Sequence, residues 1–175
     1  VPIEAIPLGG SVSAKIYYHG TSPTGGFFTG VTNDSSEYWQ KSVTWTLSEP
    51  FSAKSWFPVK QDLLDKADSA WIFLTTASTN MVGSEGLLTN VVDLGNGKSR
   101  YEWKTNYPID YYLLSFAVAE YEDYSIYAHP MAMGDDSLLI QNFIYNSPGS
   151  LESKMDDIGK TVDIMELYSE LFSLY

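Results

Sequence analysis

The alternation that decides the fold class lies at Val43-Thr44-Trp45-Thr46-Leu47. In an extended backbone Val43, Trp45 and Leu47 face one side, and the two threonines face the other. This period of two is typical of a half-buried β-strand. The run therefore predicts sheet, not helix, for this part of the chain.

Further short runs extend this pattern over residues 1–149, because β-branched and aromatic residues alternate there with Gly, Pro, Asn and Asp. We predict strands at Val12–Tyr18, Val43–Leu47, Ala70–Thr76, Leu88–Leu94, Arg100–Lys104, Tyr111–Tyr121 and Leu138–Tyr145. Many short strands with frequent turns indicate a mainly β fold, an antiparallel β-sandwich or saddle-like sheet. The chain adds a helical segment at its C-terminus.

Two strands carry tryptophans that we expect in the core. Ala70–Thr76 is apolar on both faces, so we expect it in the middle of the sandwich. Trp45 and Trp71 occupy inward positions of their strands, and core packing is the favoured interpretation of both.

The turns between the runs are marked by small and polar residues. Asn96-Gly97 lies between two strand-like runs and is a strong signal for a β-hairpin turn. Gly25-Gly26 and Thr32–Ser36 indicate a surface loop.

The chain changes character at Pro148-Gly149-Ser150, and Ser150 could cap a helix. Beyond it apolar residues recur at spacings of three and four, which is typical of an amphipathic helix: Leu151, Met155, Ile158, Val162, Met165, Tyr168 and Phe172. Gly159 costs a helix about 1 kcal/mol relative to Ala, so two shorter helices are possible. We expect the stripe either to fold back on the sheet or to meet a following domain. Residues 150–175 are therefore interpreted as a helical linker after a β-domain at 1–149.

Composition excludes several classes of function. The 175 residues include 22 acidic and 10 basic ones, giving a net charge of −12, which argues against a nucleic-acid partner. No apolar run is long enough to span a bilayer. The chain has no cysteine, so thiolate zinc sites and cysteine nucleophiles are excluded. Such a composition is more usual in exported proteins, although every residue is compatible with the cytoplasm.

The sequence predicts no catalytic and no metal-binding residue in this chain. His19 and His129 are far apart, and no H-E-x-x-H helix occurs. Asp135-Asp136 and Asp156-Asp157 lack the spacing of a calcium loop, so solvated acidic loops are the favoured interpretation.

A set of ordered motifs resembles the N-terminal domain of the aminopeptidase N family of zinc metallopeptidases. Thr46–Pro58 reads T-L-S-E-P-F-S-A-K-S-W-F-P, where the family has T-x-x-E-P-x-x-A-R-x-W-x-P followed by D-K-A-D. The other blocks follow the family's order: K-I-Y-Y-H-G at 15–20, D-K-A-D-S at 65–69, S-E-G-L-L at 84–88 and Y-P-I-D-Y-Y-L-L-S-F-A-V at 107–118. Lys54 stands where Arg is usual, and Glu85 replaces the usual turn Asn.

The resemblance implies a fragment of a larger enzyme. By comparison with the family, this sequence begins after the first strands of the N-terminal domain. It does not contain the G-A-M-E-N loop or the H-E-x-x-H zinc helix of the family's catalytic domain. We therefore expect this chain alone to be inactive and to hold no cofactor, with zinc bound by the absent catalytic domain. The expected partners are that catalytic domain and, in the intact enzyme, a peptide substrate.

One substrate-binding residue is implied within the chain. The family's acidic or amide residue in the T-x-x-E-P block helps to bind the free α-amine of the peptide, and that position is Glu49. A glutamate carboxylate and a peptide α-amine are both charged at neutral pH, so they can form a charge-assisted hydrogen bond. The structural alternative is a strand-end acid that forms a salt bridge, for example with Lys54.

Two other functions stay open from the residues themselves. The first is a free-standing carbohydrate-binding module, which predicts that Trp39 or Trp56 is exposed. The second is an adhesion or scaffold domain, which predicts a protein partner and no small ligand.

Overall fold

The structure is a computed structural model that describes residues 5–23, 30–35 and 39–174. It is mainly antiparallel β with one C-terminal helix, which confirms the predicted fold class. The strands are β1 Gly30–Ser35, β2 Ser42–Leu47, β3 Ala70–Ala77, β4 Met81–Ser84, β5 Leu87–Gly95, β6 Lys98–Thr105, β7 Phe116–Ala119, β8 Tyr121–Asp123, β9 Ile126–Ala128, β10 Leu138–Ile140 and β11 Phe143–Tyr145. The helix α1 spans Met155–Leu171, and short 3₁₀ helices lie at Ala53–Ser55, Tyr111–Leu113 and Met131–Met133.

Two antiparallel sheets form the body of the domain. One has the order β1-β2-β7-β4, and the other has the order β3-β6-β5. Two smaller pairs, β9–β10 and β8–β11, complete the strands. No helix within the described ranges is both long and apolar enough to cross a bilayer.

The core lies between β4 and β6, the strands that bring the two sheets together. Trp103 is 4% exposed, and its indole N–H donates to the carbonyl of Val82 at 3.1 Å. Tyr101 is also buried, and its hydroxyl donates to the carbonyl of Asn80 at 3.1 Å. Half-buried apolar residues surround this cluster: Ile72, Leu74, Met81, Leu88, Val118 and Phe143. The indole and phenol bury large apolar areas while their polar atoms remain bonded.

The Asn96-Gly97 hairpin prediction is confirmed, since β5 and β6 pair directly across this turn. Asn96 and Gly97 have φ of 53° and 71°, the left-handed values that a two-residue hairpin turn requires.

The expectation that Ala70–Thr76 lies in the middle of the sandwich is wrong. β3 pairs with β6 only, at the edge of its sheet as described, and only its inner face packs on the core. Trp71 is 66% exposed and Phe73 is 57% exposed, so Trp71 is not a core residue, and Trp45 is only half-buried. Burial on both faces requires a layer on each side of a strand, and the described residues provide one layer only.

Two predictions near the N-terminus are also wrong. Val12–Tyr18 has exposed side chains and no strand, because no other described segment pairs with it. The loop predicted at Thr32–Ser36 is wrong for its described part, since Thr32–Ser35 belongs to β1 and pairs along its length with β2. Ser36 lies outside the described residues. The Thr44 hydroxyl donates to Asn33 Oδ1 at 2.8 Å across this pair, so polar side chains here support the ladder. Gly25-Gly26 lies outside the described residues.

Two long predicted strands are interrupted. Tyr111–Tyr121 becomes a 3₁₀ helix at Tyr111–Leu113 and then β7, with β8 beginning at Tyr121. Leu138–Tyr145 divides into β10 and β11, which pair with different strands. The Asn142 side chain occupies that break and donates to the carbonyls of Tyr124 and Ile140. Each interruption lets the chain change sheets.

The C-terminal stripe forms one helix that continues through Gly159, so the alternative of two shorter helices is wrong. Lys154 is the N-terminal flanking residue of α1, and no side chain caps the helix, so Ser150 is not its cap. α1 folds back on β9 and on the 3₁₀ helix at 131–133, and Glu166 Oε1 accepts the backbone N–H of His129 at 2.7 Å. Phe172, beyond the last turn, stays exposed.

Tyr121 lies inside an aromatic stack. Its ring centroid is 5.3 Å from that of Tyr145 and 6.1 Å from that of Phe143, and both pairs are stacked. Burial raises the pKa of Tyr121 to about 12, and the neighbouring Tyr145 adds a smaller effect in the same direction.

This raised pKa predicts a loss of stability in alkali. An unfolded tyrosine has a pKa of about 10, so the contribution of Tyr121 is complete below that pH and is lost as the pH rises to about 12. We expect the free energy of unfolding of Tyr121→Phe to fall less than that of wild type between about pH 10 and about pH 12, as urea denaturation at each pH would measure. The control Tyr107→Phe alters a side chain that is 82% exposed and should keep the wild-type decline. Parallel wild-type and Tyr121→Phe curves would contradict the assignment.

Candidate functional site

The site begins where β2 ends and the chain turns sharply. Ser48 is buried, its carbonyl accepts the backbone N–H of Ser52 at 3.0 Å, and its hydroxyl accepts the indole N–H of Trp56 at 3.0 Å. The next peptide bond, Glu49–Pro50, is cis. The Ser and Trp of the T-L-S-E-P…W block therefore fix the turn that carries Glu49.

The backbone that follows Glu49 is held by Tyr111, from the 3₁₀ helix at Tyr111–Leu113. The hydroxyl of Tyr111 donates to the carbonyl of Pro50 at 2.6 Å, and Tyr111 is buried. The strand before Glu49 is held as well, since the Phe116 N–H donates to the Thr46 hydroxyl at 2.9 Å. The backbone on both sides of Glu49 is thus held by Tyr111 and by Phe116, the first residue of β7.

A second acid, Glu85, comes from the turn after β4. The Ser84 hydroxyl donates to the carbonyl of Ser115 at 2.6 Å, and the Ser115 hydroxyl donates to Glu85 Oε1 at 2.5 Å. Gly86 follows with a φ of 82°, and a Cβ there would overlap the carbonyl oxygen of Lys104. This turn requires glycine both for its left-handed backbone and for the close approach of β6.

Glu49 and Glu85 line the same small pocket of about 170 Å³. The lining residues are Thr46, Leu47, Ser48, Glu49, Glu85, Tyr112, Leu113 and Ser115. Glu49 Oε2 is a buried oxygen that has no hydrogen-bond partner among the described residues. A buried carboxylate oxygen without a donor is costly, so this oxygen is suited to a donor that arrives from outside.

The pocket's charge indicates what kind of donor that is. Its lining contains two carboxylates and no basic side chain. The salt bridge considered between Glu49 and Lys54 is not among the ion pairs of the described residues, and the Lys54 side chain is exposed. A small cation with N–H donors would satisfy both the charge and the unpartnered oxygen.

A larger, open cleft of about 890 Å³ lies elsewhere, between residues 18–23, β1 and residues 54–58. Its titratable side chains include His19, Asp34 and Lys54, and all three residues are exposed. Residues 18–23 form one wall and have no regular secondary structure. Because exposed groups there are already solvated, we place the candidate site in the smaller pocket.

The acidic residues and histidines do not cluster as metal ligands within the described ranges. Within the described ranges no group of three or more His, Asp or Glu side chains could hold a metal ion. His19 and His129 are both exposed and lie apart from the Glu49 pocket. The described residues therefore do not fit a zinc site.

The tryptophans of the carbohydrate alternative are half-buried, not exposed. Trp39 donates its indole N–H to the carbonyl of Asn146 at 2.7 Å, and its ring lies 5.2 Å from that of Tyr145. Trp56 contacts Phe57 and Phe116. These contacts explain the two indoles as structural residues.

The sequence predicts a substrate-binding role for Glu49 and assigns no role to its neighbours in the pocket. Glu85 lies in the motif block at 84–88, where it replaces the usual turn Asn, and Tyr112 and Ser115 lie in the block at 107–118. The sequence feature that could have indicated Glu85 as a candidate site residue is the S-E-G turn at 84–86, where an acid replaces the family's usual amide.

The chain was compared with known proteins. No protein-family model matches it, and no curated protein matches it. Among solved structures it is similar to a variant of a two-domain M1 zinc metallopeptidase bound to L-arginine, with 18% identity over 89% of this chain and a TM-score of 0.68. It is also similar to the M1 zinc metallopeptidase from Deinococcus radiodurans, with 17% identity over 83% of this chain and a TM-score of 0.64.

These likenesses concern the fold of one part of a larger protein. The chain spans 34% of the first structure and 31% of the second, so about a third of each. It shares the fold of that part of these metallopeptidases.

Proposed function

We propose that this chain is the non-catalytic N-terminal β-domain of a zinc aminopeptidase that removes N-terminal residues from peptides. The order of the motif blocks supports this, as does the fold shared with M1 zinc metallopeptidases over most of the chain. In this proposal residues 1–149 are the β-domain, and residues 150–175 lead to the catalytic domain.

The observation that carries the proposal is the unpartnered Glu49 Oε2 in a small acidic pocket. A peptide α-ammonium group is a small cation with three N–H donors, so it complements both the oxygen and the charge of the pocket. Glu49 would thereby select substrates that have a free N-terminus.

Zinc belongs to the other domain in this proposal, as the resemblance to the aminopeptidase N family implies. The contribution of this chain is to hold Glu49 rigidly, through Ser48, Trp56 and Tyr111, at the boundary with the catalytic domain. A fixed carboxylate needs little reordering when the amine binds.

The end of α1 offers a surface for the catalytic domain. Leu167, Leu171 and Phe172 are exposed there, whereas the helix's opposite side packs on β9. Exposed apolar groups on consecutive turns are typical of an interface.

The proposal predicts a specific kinetic defect in the intact enzyme. Glu49→Gln keeps the size of the side chain but removes its charge, and a hydrogen bond to a charged group contributes about 1.5–3 kcal/mol. We expect kcat/KM for peptides with a free α-amine to fall about 10- to 150-fold, measured by steady-state kinetics.

Two controls sharpen this test. Peptides whose N-terminal amine is replaced by a hydroxyl should be cleaved at similar rates by wild type and Glu49→Gln, since the charge that Glu49 recognises is gone. Glu152→Gln removes an equal charge from the exposed residue Glu152 and should behave as wild type. Unchanged kcat/KM of Glu49→Gln on amine substrates would overturn the assigned role.

A further inference from the structure

The outer face of the β3-β6-β5 sheet has no covering layer among the described residues. Its exposed apolar side chains are Trp71 and Phe73 on β3 and Leu87 on β5. The strand register places Trp71 beside Lys104, Phe73 beside Glu102 and Leu87 beside Lys104. We call this surface the basic-aromatic face, and its residues are Trp71, Phe73, Leu87, Lys98, Arg100, Glu102 and Lys104.

The charge of this face is opposite to that of the chain. Lys98, Arg100 and Lys104 alternate along the outer side of β6 with the single acid Glu102, a local charge of +3 − 1 = +2, whereas the chain carries −12. Arg100 pairs with Glu102 at 2.5 Å. Lys98 and Lys104 form no ion pair with any described residue. Neither lysine charge is therefore neutralised by a carboxylate of the described residues.

The aromatic rings are already covered on one side. Lys104 Nζ lies over the Trp71 ring, 5.2 Å from its centroid, and Arg100 Cζ lies over the Phe73 ring at 5.9 Å. A platform for bases or sugars needs open ring faces on which flat groups can stack. Here a cation of the chain itself lies over each ring, and the exposed remainder of each ring suits contact with aliphatic and aromatic side chains.

We propose that the basic-aromatic face binds an acidic polypeptide segment that also contains apolar side chains. Carboxylates of the segment would meet Lys98 and Lys104, and its apolar groups would cover Trp71, Phe73 and Leu87. Apolar contacts at the centre with charge complementarity around them are the usual composition of a protein–protein contact. This proposal is independent of the role proposed for Glu49.

The edge of β3 supports a polypeptide as the partner. β3 is eight residues long, A-W-I-F-L-T-T-A, with no proline and no charge to block pairing. Its register with β6 is regular throughout, and one side of its backbone faces no described strand. An extended segment could therefore add to this edge by main-chain hydrogen bonds while its side chains reach the face.

The test uses fluorescence anisotropy of the whole 175-residue chain with a labelled twelve-residue peptide in which Glu alternates with Leu and Phe. The matched control peptide has Lys in place of every Glu. We expect the acidic peptide to bind, the basic peptide to bind at least about tenfold more weakly, and added salt to weaken the complex.

Charge-reversal variants locate the site. Lys98→Glu with Lys104→Glu should weaken binding of the acidic peptide by at least about tenfold. The control double variant Lys15→Glu with Lys160→Glu has the same net charge, but its two reversed charges lie outside the basic-aromatic face. It should bind the acidic peptide more tightly than the Lys98→Glu with Lys104→Glu variant. Trp71→Ser tests the contact between Trp71 and the apolar side chains of the peptide without altering the charge of the chain. Circular dichroism checks that each variant is folded.

Three results would overturn the proposal. The first is equal affinity of the two double variants for the acidic peptide. The second is equal binding of the acidic and basic peptides by wild type. The third is that oligo-dT or heparin binds with Lys98- and Lys104-dependent affinity while the acidic peptide does not, which would make the face a polyanion site.

Discussion

Replacing Trp103 by Ala is expected to lower the free energy of unfolding by about 3–5 kcal/mol. Trp103 is nearly fully buried between the two sheets, and its ring meets Phe143 edge to face at 6.3 Å. Alanine would leave a cavity there, and the carbonyl of Val82 would lose its indole donor. Both effects destabilise the folded state, as urea denaturation followed by circular dichroism would measure.

Trp71→Ala is the matched control, since it removes the same side chain from the outer face. Trp71 is mostly exposed and lies against Lys104 only through a cation–π contact. Surface changes of this kind shift stability by less than about 1 kcal/mol. Equal losses in the two variants would mean that the packing of β3 and β6 described above is incorrect.

Gly86→Ala is expected to destabilise the protein by about 2–5 kcal/mol, combining left-handed backbone strain with an overlap. A Cβ at Gly86 would overlap the backbone of Lys104, which cannot move without disturbing β6. The turn also places Glu85 in the pocket, so the variant should distort that wall.

Gly97→Ala is the control that separates left-handed backbone strain from steric overlap in the destabilisation expected for Gly86→Ala. Gly97 also has a positive φ, but a Cβ there meets no atom within 4 Å. Only the backbone strain remains, and we expect a loss of about 1 kcal/mol. If Gly97→Ala were as destabilising as Gly86→Ala in urea denaturation, the overlap with β6 would not be the cause.

The sequence predicted those parts of the fold that depend on neighbouring residues. The alternation in Val43–Leu47 and the Asn96-Gly97 turn are local signals, and both correspond to observed elements. β4 at Met81–Ser84 was not predicted, because four residues around a glycine give little periodicity. The edge position of β3 was missed for another reason, since strand order depends on pairing between distant segments.

The pocket was predictable only in part. Glu49 is predicted from its motif, but the second acid of the pocket, Glu85, lies in a different motif block. β2 and β4 both pair with β7, and this shared neighbour brings Glu49 and Glu85 together from positions 36 apart in the chain. Such a juxtaposition is a property of the folded sheet and has no signature in either segment alone.

The most direct test of the proposed function compares zinc content and peptide hydrolysis of the 175-residue chain with those of the larger enzyme of which we propose it is a part. Elemental analysis and an aminopeptidase assay with a fluorogenic amino-acid amide provide the two readouts. We expect the larger enzyme to bind zinc stoichiometrically and to hydrolyse the amide, and the 175-residue chain alone to do neither. Stoichiometric zinc in the isolated chain would contradict the proposed function, and so would hydrolysis by that chain that survives Glu49→Ala.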